Sequence, residues 1–141
     1  QFVQRYPDKT ERALAILTLI QNIGYDSNEA IKVKHPTVTL MQGGTCIDLA
    51  IACGALLRAA DIRCALLIFR CQLHAAVGIA DIDFGKLCRE IGEKSVIDFE
   101  GTEYLICETT SLRHPAGDSL SGNLGAVDSD TVTLVIPYEF P

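Results

Sequence analysis

Apolar positions in the first 60 residues recur at helical spacing, and from about residue 62 they recur at every second position. Ala13, Leu14, Ile16, Leu17 and Ile20 make one helical stripe. Asp8 or Thr10 is placed to cap that helix, and Gly24 to end it. A loop follows, in which Pro36 marks an extended stretch before "TVTLMQGG". Thr45 or Gly44 then opens a second helix from Cys46 to about Ala60. Cys46, Leu49, Ala50, Cys53 and Leu57 share one of its faces. Its only charges are Asp48 and Arg58, which predicts burial on nearly every side.

Beyond Asp61 the pattern is that of strands. "IRCALLIFRC" (62–71) is apolar on both faces and predicts a central strand. "HAAVGIA" (74–80) predicts a second, with His74, Ala76, Gly78 and Ala80 on one side and Ala75, Val77 and Ile79 on the other. The small side is expected to let a helix approach closely. Residues 81–95 form a charged insertion with a short helix around Lys86–Ile91. "SVIDFEGTEYLICETT" predicts a hairpin turning at Glu100–Thr102. Its second strand sets Tyr104, Ile106, Glu108 and Thr110 opposite Leu105, Cys107 and Thr109. A long Gly/Ser-rich loop, 111–129, precedes a last strand in "DTVTLVIPYEF", and Pro137 argues that this strand is an edge. Helices followed by antiparallel strands define an α+β fold in a single domain spanning 1–141. Gln1 is not a start residue, so the chain is expected to be excised from a longer one, whose other domains would be partners.

Composition narrows the function classes. The 141 residues are 48% hydrophobic but only 6% aromatic, with no Trp, so the core must be built from Leu, Ile, Val, Ala and Cys. A net charge of −6 with no basic cluster speaks against a nucleic-acid binder. No apolar run reaches the ~18 residues of a membrane span. Six cysteines occur without any C-x-x-C, and Cys53, Cys64 and Cys107 lie inside apolar periodic segments. That is core material rather than a disulfide scaffold or zinc ribbon, and it predicts reduced thiols in a cytoplasmic protein.

Three residues stand out by placement: Cys46 at a helix start, His74 at a strand start and Glu108 near a strand end. A helix N-terminus and a neighbouring imidazolium both favour the thiolate. The thiolate attacks an acyl carbon, the imidazole protonates the leaving group, and a carboxylate orients the ring. The Cys46 N–H and the Gln42 amide are candidates to bind the oxyanion, while Gly43 and Gly44 leave room for a substrate backbone. Gln42, Gly44 and Thr45 are therefore the expected oxyanion and substrate-binding positions. Each residue also has a plainer reading: Cys46 as core, His74 as a hydrogen-bonded strand end, Glu108 as a partner for Arg113, Asp48 as a solvated or buried helix residue. His35 and His114 are rival bases, although both sit beside Pro in loops. "DID" at Asp81–Asp83 has no ligand framework around it, so no metal and no cofactor are expected. There is no P-loop, dinucleotide fingerprint or G-x-S-x-G.

"GGTCIDLAIACGALLRAADIRCALLIF", "LHAAVGIA" and "EYLICETTS", in that order, resemble the core of the transglutaminase-like superfamily, which includes microbial members with the papain-like cysteine peptidase fold. The resemblance covers roughly residues 10–111. It implies a catalytic-Cys helix packed on an antiparallel sheet, with Cys46 as nucleophile, His74 as general acid/base and Glu108 as the orienting acid. The expected function is thiol acyl transfer on a peptide or protein amide, with peptide or isopeptide hydrolysis favoured over transamidation. The alternative is a transglutaminase-like module that has kept its fold as a binding or scaffolding domain.

Overall fold

The computed structural model describes residues 1–26, 32–69, 74–87, 95–110 and 132–138. A short helix α1 (Phe2–Arg5) leads to α2 (Lys9–Ile23). Asp8 starts α2 by accepting from the N–H groups of Thr10 and Glu11 at 2.7 and 3.2 Å. These are two of the donors that a helix start leaves unpaired. Gly24, at φ 120, ends it.

Pro36 does not mark an extended stretch. Pro36–Gln42 is a helix, α3, with His35 as its N-cap. Proline's restriction on the preceding residue acts on His35, which is extended at φ −62, ψ 142. Pro36 itself fills the first helical position, where its missing N–H costs nothing. Helix α4 (Cys46–Ala59) follows, opened by Thr45. The short helix in the charged insertion, α5, spans Phe84–Leu87 and so begins two residues before the predicted one. Residues 88–91 of that prediction lie outside the described residues, as do the 111–129 loop, Cys71, Cys88 and His114.

The strands β1 (Cys64–Phe69), β2 (Ala75–Ile79), β3 (Val96–Phe99), β4 (Thr102–Cys107) and β5 (Val132–Pro137) form one sheet in the order β3-β4-β2-β1-β5. All neighbours are antiparallel, so the fold is α+β, with β1 interior and β5 at an edge. The β3–β4 hairpin turns on Glu100 and Gly101, both at positive φ (53 and 80). That is the backbone sign a two-residue hairpin needs to match strand twist.

The helices cover one face of the sheet. Leu17, Ile20, Leu49 and Leu57 pack against Val77, Ile79, Leu105 and Cys107, all fully or nearly fully buried. This is the bulkier side of β2, not the Ala/Gly side expected to receive a helix. On the small side, the space beside Gly78 is taken by Tyr104 of β4. Ala65, Leu67, Phe69, Ala76 and Ile106 complete a second cluster there, with Val132 and Val135 against it. Small residues on β2 make room for an aromatic ring rather than for a backbone.

A bulge shapes β5. Val132 pairs with Phe69 and Leu134 with Ile68, which leaves Thr133 as an extra residue. Val132 therefore packs beneath the sheet, while Leu134 and Ile136 face the helix side opposite Ile68 and Leu66. At the far end Tyr138 donates its hydroxyl to the Ile51 carbonyl at 3.2 Å, and its ring lies over Gly54. A Cβ at Gly54 would overlap that ring, so Gly54→Ala is expected to destabilise the fold by about 1–3 kcal/mol, measured by denaturant unfolding.

Candidate active site

Thr45 and Asp48 build the start of α4 as a reciprocal cap. The Asp48 side chain, 1% exposed, accepts from the Thr45 N–H and hydroxyl, each at 3.0 Å. It also accepts from the Lys34 N–H at 2.8 Å, which ties the incoming chain to the helix. Cys46 is thereby held at the first helical position, half-buried, at the positive end of a 14-residue helix.

His74 and Glu108 reach the same end of the sheet through antiparallel pairing. Val77 opposes Cys107, so continuing the register puts Glu108 across from Ala76, two residues from His74 and on the same face. His74 Nε2 is 2.6 Å from Glu108 Oε2, and both side chains are partly shielded (26% and 13% exposed). The His74 carbonyl accepts from Phe69 N–H at 3.0 Å, and the Phe69 ring leans on the imidazole with centroids 5.6 Å apart. Glu108 Oε1 accepts from the N–H groups of Thr109 and Thr110 and from the Thr110 hydroxyl. Both carboxylate oxygens are thus committed, and the imidazole has one rigid partner.

The ring has a second partner in Cys46. Its thiol is hydrogen-bonded to His74, and that bond lowers its pKa most. Burial opposes the shift, while the amides of Ala75 and Ile47 and the His74 charge add to it. His74 is raised to about 10, first by its bond to Cys46 and then by Glu108. Burial raises the Glu108 carboxyl, but bonds from His74 and Thr110 outweigh it and leave the pKa below the ordinary value. The three shifts all favour the charged forms: thiolate, imidazolium, carboxylate. Cys53 and Cys64 move the opposite way. Burial holds Cys53 well above the ordinary thiol value and pushes Cys64 up to about 12.

Of the remaining expected positions, Gly44 and Thr45 have partners in the fold. Gly44 donates its N–H to the Gly24 carbonyl (3.4 Å) and accepts from the Asp26 N–H (2.8 Å). A Cβ on Gly44 would meet the Asp48 side chain, and Gly43 sits at φ 75 against the Gly24 carbonyl. The glycines let the chain pass between Gly24 and Asp48, and the Thr45 donors are spent on Asp48. Gln42 is exposed at the end of α3. His35 is exposed as the α3 cap. Asp81 pairs with Arg63 (3.1 Å), and Asp83 accepts from the Gly85 N–H. Among the described residues, no group of three or more His, Cys, Asp or Glu is arranged to hold a metal, and no helix is long and apolar enough to cross a membrane.

Two contributors escape the sequence reading. Thr110 fixes the Glu108 carboxylate, and the Gln21 amide on α2 donates to the Glu108 carbonyl at 3.0 Å. Gln21 is 2% exposed, and its Oε1 has no partner among the described residues. What the amide adds over a leucine of similar size is its bond to the β4 chain. A signal was present: Gln21 continues the Leu17 stripe at i+4, a polar residue on an apolar face. Comparison of the chain with protein-family models, curated proteins and solved structures finds no match.

Proposed function

We propose that this protein is a cysteine-dependent acyl-transfer enzyme acting on amide bonds through Cys46, His74 and Glu108. The observation that carries the reading is the 2.6 Å bond between His74 Nε2 and Glu108 Oε2, with the Cys46 thiol hydrogen-bonded to the same ring. Further, the reading assigns the chain to the transglutaminase-like superfamily and its papain-like core, on the motifs around these three residues and the Cys-helix-on-sheet arrangement.

The chemistry runs in two halves. The Cys46 thiolate attacks the amide carbon, and the N–H at the first position of α4 is the donor assigned to the oxyanion. The C–N bond breaks as the His74 imidazolium gives its proton to the leaving amine, and a thioester remains. Water, deprotonated by His74, then attacks the thioester, and the carbon–sulfur bond breaks to return the thiolate and release a carboxylic acid. An amine in place of water gives transamidation by the same route. Hydrolysis of peptide or isopeptide bonds is the favoured outcome. Glu108 stabilises the imidazolium throughout.

The test is the pH dependence of Cys46 alkylation by iodoacetamide. Its rate is expected to rise through a midpoint below the ordinary thiol value, because the imidazolium favours the thiolate. Amide turnover rises through the same midpoint and falls near pH 10, where His74 loses the proton it must deliver. An ordinary midpoint at Cys46 would sink the enzyme reading and leave a catalytically inert module that binds a partner. Acylation of the thiol by a peptide-amide library, with Cys46→Ala as control, reads the reaction directly.

A further inference from the structure

Beside Cys46 lies an apolar strip that the chemistry above does not use. Ile47 and Ile51, one helical turn apart on α4, and Ile68 on β1 are partly buried in the cluster that also takes in Cys46, Ala50 and Ala75. Register sets Leu134 of β5 opposite Ile68, and Ile136 opposite Leu66, on the same face of the sheet. These two are 50% and 44% exposed. The bulge at Thr133 turns them to this side, away from the buried face that Val132 and Val135 share. Tyr138 blocks the far end, bonded to the Ile51 carbonyl and seated over Gly54. The near end is Cys46 itself.

We propose that this strip, formed by Ile47, Ile51, Ile68, Leu134 and Ile136, is a substrate subsite that selects an aliphatic group adjoining the amide attacked by Cys46. The inference rests on the acyl-transfer reading of the site. Two observations commit the occupant. The strip is continuous with the nucleophile, because Cys46 and Ile47 belong to the same packed cluster, so a chain presented to the sulfur passes over it. Among the described residues it also offers nothing to a charged group. β5 carries no charged residue, and the stretch Ile47–Gly54 carries only Asp48, which is buried and committed to Thr45 and Lys34. A charged side chain laid there loses water without gaining a partner, while an aliphatic one gains burial.

The test compares two alkylating probes at Cys46: iodoacetamide and N-hexyl iodoacetamide. In both, the sulfur–carbon bond forms as the carbon–iodine bond breaks and iodide leaves, so only the tail differs. The hexyl probe is expected to react at least ~10-fold faster at Cys46, since burying about two methylenes accounts for that factor. Leu134→Lys and Ile136→Lys, both at exposed edge positions where the fold tolerates charge, are expected to bring the ratio down to about one. The iodoacetamide rate of each variant is the reference for its own ratio, so an effect of the lysine on the thiol itself cancels. A ratio near one in the unaltered protein, or a ratio indifferent to both lysines, overturns the subsite and assigns the strip to another occupant. That failure is separate from failure of the catalytic reading, which shows in the iodoacetamide midpoint alone.

Discussion

Replacing His74 with alanine is expected to lower amide turnover by about 10⁴-fold and to return Cys46 to ordinary thiol titration. Both effects follow from one contact. The bond to His74 is the largest influence lowering the Cys46 pKa, and without it the burial of a half-buried thiol pushes the other way. At neutral pH the thiolate fraction then falls, and the leaving amine has no proton donor. Stopped-flow alkylation across pH reads the first consequence, and amide hydrolysis the second. Loss of turnover with an unmoved thiol midpoint would mean that His74 acts only as the acid. Circular dichroism should show the fold retained, because His74 lies outside β2 and its carbonyl bond to Phe69 survives the change.

The second large effect concerns Asp48. Asp48→Ala is expected to cost about 3 kcal/mol of folding stability, because it removes one half of the capping box and leaves the N–H donors of Thr45 and Lys34 without their acceptor in a partly buried place. Asp48→Asn keeps one acceptor oxygen and should recover part of the loss. Urea unfolding of the two variants measures the difference. The cap also fixes the first turn of α4, so the Cys46 alkylation rate should fall in the alanine variant even below its unfolding transition. Equal midpoints for the two variants and the parent would show that the bonds of Asp48 contribute nothing net.

Some of this architecture was legible residue by residue. The start of α2 at Asp8 and of α4 at Cys46 could be read because capping is local chemistry, complete within four residues. The hairpin turn expected at Glu100–Thr102 was legible for the same reason, with Thr102 already the first residue of β4 and the turn itself confined to Glu100 and Gly101. The residues 36–42 were misread because proline's effect on its predecessor and its fitness for the first helical turn point in opposite directions.

By itself the sequence determined the helix stripes, the strand periods, the alternation of faces along β4 and the placement of Cys46 at a helix N-terminus. These depend on steric and hydrogen-bonding rules that act over a few residues. Tertiary structure alone decided which face of β2 the helices cover, because Tyr104 claims the small side. It also decided that the Thr133 bulge turns Leu134 and Ile136 toward α4. Finally, it decided that Cys46, His74 and Glu108 meet. Their separations of 28 and 34 residues along the chain carry no distance. The register of β2 on β4 and the packing of α4 over β2 supply it, since antiparallel pairing puts a strand's beginning beside its neighbour's end.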